Sequence, residues 1–198
     1  MSTSTTTDDA TQAAASTSPL VTGLWEVDAA HTIVAFSVRH MTIATVTGRF
    51  PDVTGQLRVA GDSSATISAR IATGTVWAGH PRRDELVRSP EFLDVEQFPE
   101  LSFTGHIEAW PAAAGGPVDA TGELTIKGTT RPLRLTGTFG GVVTHRGATR
   151  AGFTADARVD RREFGLAFAG MLDTGGAVVS NEVDLHLEVE LVHVEDDS

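Results

Sequence analysis

The stretch EVDLHLEVEL, Glu182 to Leu191, alternates a charged residue or histidine with an aliphatic one at every step. Successive side chains of a strand point to opposite faces, so Val183, Leu185, Leu187, Val189 and Leu191 form one apolar face and Asp184, His186, Glu188 and Glu190 one wet face. A helix turns about 100° per residue and would scatter the same residues around its axis. The stretch is a half-buried strand of an antiparallel sheet with one side in water.

Working outward, the same period recurs along most of the chain. Phe153, Ala155, Ala157 and Val159 share a face, as do Leu133, Leu135, Gly137 and Phe139, and Ala120, Gly122, Leu124 and Ile126. Leu101, Phe103, Gly105 and Ile107 continue it, preceded by Ile67, Ala69 and Ile71 and by Val53, Gly55, Leu57 and Val59. A further run begins over Ile33 to Val38 and resumes from Ile43 to Phe50. Between strands, Lys127-Gly128 reads as a tight hairpin with Gly128 at positive φ, and Pro132 suits a strand start or edge. Gly115-Gly116-Pro117 and Gly140-Gly141 read as turns. About eight or more strands at this spacing imply a sandwich or a barrel.

The inward faces favour the barrel. They carry many small residues, among them Ala35, Gly55, Ala69, Gly105, Gly122, Gly137, Ala155 and Ala157, which fill a sandwich core poorly. Eight strands closed on themselves leave an interior that side chains can fill or that can hold one small ligand. Small inward residues point toward the ligand, although glycine also serves bends and barrel corners. Filling that space, by Gly122→Leu or Ala155→Phe, is expected to block binding and leave a folded barrel.

One segment breaks the alternation. Val76 to Phe103 holds prolines, charge and aromatics in close succession. Pro81 after His80 and Pro90 after Ser89 suit first helical positions, with Ser89 as a cap and Asp84, Glu85 and Glu91 near helix starts. The spacing predicts a two-helix insert, Pro81 to Arg88 and Pro90 to Leu93. Its Leu86, Val87, Phe92, Leu93 and Phe98 are too apolar for a free loop, so the insert covers an open barrel end, as a plug or as a lid.

Composition limits the function. The 198 residues suit one domain, expected over 23–195, behind a Ser/Thr/Ala-rich leader over 1–22 that reads as disordered. The leader has no basic start and no apolar run resembling a signal peptide, and no stretch approaches a membrane helix, so a cytoplasmic protein without stable membrane insertion is expected. The absence of cysteine excludes disulfides, thiolate metal sites and thiol nucleophiles. A formal charge of −11 and a pI near 4.9 argue against nucleic acid and against an anionic membrane surface. That field is an average: fourteen of the fifteen basic residues are arginine, and a local basic spot could still meet an anionic group.

The chain also carries motifs of a known family. Trp25-Glu26-Val27-Asp28-Ala29-Ala30-His31-Thr32 leading into Val34, Phe36, Val38 and His40, the insert from Arg83-Asp84 through Arg88-Ser89-Pro90-Glu91-Phe92-Leu93-Asp94 to Phe98-Pro99, the run Thr121 to Pro132, and Arg161-Arg162-Glu163-Phe164-Gly165 resemble the YceI-like family. The likeness spans about Leu24 to Leu191. The chain departs from the family at His80-Pro81-Arg82 and at Glu85, where relatives usually carry asparagine and histidine. The resemblance implies an all-β, antiparallel, lipocalin-like barrel, often dimeric, that binds a long isoprenoid such as a polyprenyl quinone or polyprenyl phosphate. It implies no catalysis and no cofactor beyond that lipid, and it allows a homodimer.

Candidates for the lining are Phe36, Val38, Phe50, Trp77, Leu86, Phe92, Leu93, Phe103, Phe153, Phe168 and Met171, and for the head group Arg83, Arg88 and Arg161, whose guanidinium forks suit phosphate. Each residue also has an ordinary role, in the core or in a surface ion pair. The competing functions are a solid barrel acting as a structural or stress-related interaction protein, and an enzyme. Seven histidines include no metal-binding spacing, Asp28 and His31 suit a turn cap better than a catalytic dyad, and no nucleophile elbow or phosphate loop is present.

Overall fold

The computed structural model describes residues 20–166, 168, 170 and 178–194. The leader up to position 19 lies outside the described residues, as does Met171. Leu20, just ahead of the first strand, is buried in the core.

The strands are β1 (Gly23–Val27), β2 (Ile33–His40), β3 (Ala44–Phe50), β4 (Val53–Val59), β5 (Ala65–Ala72), β6 (Glu100–Ile107), β7 (Pro117–Ile126), β8 (Thr129–His145), β9 (Ala148–Asp160) and β10 (Val179–Val194), with one helix, α1 (Pro81–Arg88). They form one antiparallel sheet in the order β1-β4-β5-β6-β7-β8-β9-β10-β2-β3, closed where β1 also pairs β10. Along one edge of β10, Glu188 to Val179 face β2 and Leu191 to Val194 face β1. β1 and β2 are thus one bent strand, and β3 and β4, paired to them in turn, are another. The barrel has eight continuous strands, as the sequence pattern predicts.

The bend between β1 and β2 is pinned by polar groups. Asp28 caps a 3-10 turn over Ala29–His31 by accepting from the Ala30 N–H, and the Thr32 hydroxyl and the Glu190 backbone bond each other where β10 changes partner. Arg150 donates to both Asp28 and Glu190. The Arg150 hydrogen bond, then that of His31, hold the Asp28 carboxyl down to about 2. Asp28, His31 and Glu190 gather possible metal-binding atoms within 4.8 Å of one another, but the Arg150 guanidinium already bridges the two carboxylates.

The expected second helix of the insert does not form. α1 begins as predicted, with Pro81 in its first turn and the His80 ring accepting from the Arg82 N–H. Ser89, however, closes α1 instead of opening another helix. Its N–H bonds the Glu85 and Leu86 carbonyls, and its hydroxyl donates to Leu86. The chain then folds back over the end of α1, with Leu93 N–H on the Val87 carbonyl and Val95 N–H on Arg88, through Asp94 at φ 51°. Residues 90–93 are therefore turns: capping the exposed carbonyls of α1 satisfies more backbone than one further isolated helical turn would.

Two other expectations change. Gly140-Gly141 is a bulge inside the 17-residue β8, where the register with β9 shifts between Phe139 and Gly141, and the turn falls at Arg146-Gly147. β1, too short to show a period, was not visible as a strand. The Lys127-Gly128 hairpin holds, with both residues at positive φ and the Phe98 ring laid against Gly128, where a side chain would collide with it. Among the described residues no helix is long and apolar enough to cross a membrane.

Two apolar clusters divide the interior. Trp25, Leu57, Ile107, Trp110, Phe139 and Leu191 pack one end, with Trp110 edge-on to Phe139 at 5.3 Å and to Phe153 at 5.9 Å. Phe50, Val76, Leu93, Phe103, Phe164 and Leu166 pack the other, beneath the insert.

Candidate functional site

The insert lies where β3 parts from the barrel wall. β4 stays paired to β5 throughout, whereas the outer edge of β3 is met by Trp77 through a bridge to Arg49. α1 is strapped over this gap by its own polar side chains. Asp84, buried, accepts from the Ala78 N–H at 2.6 Å, Arg83 donates to the Ala78 carbonyl at 2.6 Å, and Arg88 donates to the carbonyls of Gly74 and Val76. With the helix held by these bonds, Leu86 and Val87 turn into the barrel mouth.

Beneath the insert the barrel is hollow. An inner chamber of about 140 Å³ is lined by aliphatic and aromatic side chains, with Thr32, Gln56 and Ser68 the polar residues among its lining. An outer chamber of about 260 Å³ lies under α1. Phe36, Phe50, Leu101, Ile126 and Leu185 line both, so the chambers meet at a waist of movable side chains. Their combined volume falls in the lower range for a small-molecule site. The inward residues Ile67, Leu133, Leu135, Leu185, Leu187 and Val189 line the inner chamber and are only partly buried, although they point into a closed barrel. The surface they expose is the chamber wall.

The small residues act partly as sockets. The Phe103 ring lies over Gly105 and Gly122, and the Phe36 ring over Gly48, so close that an added Cβ would come within 2.8 Å or less of each ring. A Cβ at Gly122 would also strike the backbone of Thr104 and, at 2.6 Å, Gly105. Gly122→Leu therefore disrupts the sheet and is no test of the chamber, whereas Ala155 already carries a Cβ and lines the inner chamber.

The predicted residues separate into groups. Phe36 and Phe50 line both chambers, Phe103 and Phe153 the inner one, and Val38, Leu86, Phe92, Leu93 and Phe168 the outer one. Phe92 stacks on Phe168 at 5.2 Å, joining the insert to the segment after β9. Trp77 is half exposed on the outside, under the Arg49 guanidinium. Arg83 and Arg161 line the outer chamber, with His40, and Arg88 serves as a strap. Pattern reading missed His40, Val46, Val178 and Val179 of that chamber. His40 and Val46 share a face with Val38 and could have been found by the same period.

Arg161 is buried and donates to the carbonyls of Leu166, Phe168, Val179 and Ser180 and to the Asn181 side chain, with no carboxylate among these partners. Burial lowers its pKa from the ordinary arginine value, and the nearby Asp160 charge opposes that shift. Asp160 itself is ion-paired to Arg162. A cation thus lies in the outer chamber wall while the inner chamber holds none.

The profile of the YceI-like domain matches residues 25–191. The chain belongs to the YceI-like family. A UPF0312 protein of Pseudomonas fluorescens is 32% identical over 166 residues, covering 81% of this chain and 81% of its own. The YceI protein of Salmonella newport is 32% identical over 163 residues at the same coverage. Among solved structures, Burkholderia cenocepacia BcnA superposes with a TM-score of 0.66 at 20% identity, covering 83% of this chain and 98% of its own. A polyisoprenoid binding domain from Saccharophagus degradans gives 0.65 at 16%, covering 86% and 98%. At such identities these two structures speak to the fold: this YceI-like chain has the barrel they have.

Proposed function

We propose that this YceI-like protein binds a long-chain isoprenoid lipid with its tail in the two chambers and its head at the mouth, and that it acts as a binder and not as an enzyme. The observation that carries this reading is the paired chambers, apolar within and cationic at the outer end. The polyisoprenoid binding domain of Saccharophagus degradans, with its similar fold, supports the ligand class. Burying an apolar tail contributes about 0.8 kcal/mol per methylene, so an apolar wall suffices for affinity without an elaborate polar network. Among the described residues that line the inner chamber, none is an acid, a base or a cation, which leaves hydrolysis or group transfer without apparatus there.

The head group we favour is a phosphate. Arg161 brings a buried positive charge whose hydrogen-bond partners are neutral, and Arg83 lies in the same wall. A polyprenyl quinone would leave that charge uncompensated. Native mass spectrometry of the purified protein, followed by organic extraction, tests the reading: a co-purifying polyprenyl phosphate is expected. A protein that emerges empty and takes up neither added polyprenyl phosphate nor polyprenyl quinone would refute it in favour of a barrel with an interaction role.

A further inference from the structure

The outer surface beside the mouth joins local positive charge to exposed apolar side chains in an acidic molecule. From Ile33 to Pro51, which is the β2–β3 hairpin, there is no Asp or Glu, and there is none from Ser63 to Arg83, which includes the segment laid against β3. The first stretch holds Arg39 and Arg49 and the second Arg70, Arg82 and Arg83, in a chain whose formal charge is −11. The same surface carries large exposed apolar side chains: Ile43 is 80% exposed and Met41 39% exposed at the hairpin tip, and Trp77 is 49% exposed. Of the six large apolar side chains exposed among the described residues, these three lie along one strand edge, and Val21, Ile33 and Val143 lie elsewhere.

The backbone fixes them there. Met41 and Thr42 turn the hairpin at positive φ, the Arg39 guanidinium donates to Thr42 and Thr45, and the Met41 N–H bonds Val178 at the start of β10. Trp77 is held to β3 by reciprocal hydrogen bonds with Arg49, so its indole projects outward beneath the Arg49 guanidinium, 5.0 Å from the ring centre. From Ile43 to Arg49 the strand edge runs roughly 20 Å. Its outward residues in between are Thr45 and Thr47, which carry no charge. The acids in the adjoining elements are Asp52, exposed just past β3, Asp84, buried on the Ala78 N–H, Glu85 of α1, and Glu182 of β10, which pairs with Arg158 at 3.6 Å.

We infer that this face, from the hairpin tip to Trp77, docks reversibly on an anionic phospholipid bilayer, placing the mouth at the membrane surface. Isoleucine, methionine and tryptophan enter the headgroup boundary while the arginines meet lipid phosphates. A two-fold dimer through this face would set its arginines against those of the second copy, so charge complementarity selects the anionic bilayer over a symmetric pair. The docking face rests on the isoprenoid reading for its purpose, since a bilayer is where such a lipid is collected or delivered, but its existence is tested separately.

The test is co-sedimentation of the full chain with vesicles of mixed phosphatidylglycerol and phosphatidylcholine, compared with phosphatidylcholine alone. Trp25 and Trp110 are buried, so emission changes on binding report Trp77. The expected result is binding to the anionic vesicles with a blue shift, weaker by about tenfold or more on phosphatidylcholine and weakened by salt. The Met41→Asp/Ile43→Asp double variant, altered only at exposed positions, should lose it by a similar factor, and Arg82→Glu by less. Wild-type protein that ignores anionic vesicles, binding that survives the double substitution, or a dimer that the same substitutions dissociate would overturn the proposal. Uptake of polyprenyl phosphate from detergent micelles is measured in parallel and reports on the chambers alone. Its failure with vesicle binding intact would sink the ligand reading and leave the docking face supported.

Discussion

The two ends of the barrel are built from the same alternating strands and come to opposite results. At one end Trp25, Trp110 and Phe139 meet, each at most 6% exposed, and Leu191 of β10 is packed among them. At the other, Leu185 and Leu187 of the same strand face open chambers, and the cover is a helix held by Asp84, Arg83 and Arg88 on backbone carbonyls and an amide. Three large aromatic side chains fill a barrel end; glycine sockets and aliphatic residues under a polar-strapped helix leave it hollow. Stability and binding are therefore expected to reside at different ends.

The largest effect that would break this comparison lies at the closed end. We predict that Phe139→Ala costs about 3 to 5 kcal/mol in denaturant unfolding, because a fully buried ring is deleted from a packed cluster. Isoprenoid affinity per folded molecule should stay the same; a variant that unfolds normally but no longer binds would show that the ends are not separate. At the hollow end, Ala155→Phe pushes a ring into the inner chamber and is predicted to weaken uptake by about tenfold or more, near 1.4 kcal/mol, with the far-ultraviolet spectrum of a folded barrel retained. Unchanged uptake by that folded variant would mean the tail lies elsewhere.

Phe92→Ala removes one member of the Phe92–Phe168 stack over the outer chamber. It should shift affinity more than unfolding, by about 1 kcal/mol, measured by ligand titration beside thermal melts. The smallest effect belongs to the bend. Asp28 has a folded-state pKa near 2, below its ordinary value of 3.8, so its contribution is present above about pH 4 and is lost as the pH falls toward 2. Arg150→Ala should lower stability slightly at neutral pH and should flatten that acid limb; an unchanged pH profile would show that the pair contributes nothing.

Much of the barrel was legible because a strand repeats every two residues. Eight half-buried strands, the Lys127-Gly128 hairpin and the exact span of α1 follow from local pattern and capping. What was hidden depends on contacts distant in sequence. Ser89 ends one helix instead of starting another because Leu93 and Val95 return to its carbonyls. Gly140-Gly141 bends a strand that the residues beyond it continue. Gly122 reads as space, yet Phe103 and the neighbouring backbone occupy it. For the site, most of the residues singled out by apolar type and by the insert fall in the chamber walls, though they are a minority of those walls, and Trp77 and Arg88 are separated from them by the backbone partners they happen to find.

The most direct measurement of the central claim is calorimetric titration of the protein with prenyl phosphates of increasing chain length. Chambers that enclose the tail predict affinity that rises steeply with each added isoprene unit, with a negative heat-capacity change, until the available volume is full and the gain stops. Affinity independent of chain length would contradict the account, because it would mean that the head is recognised and the hollow barrel is not used.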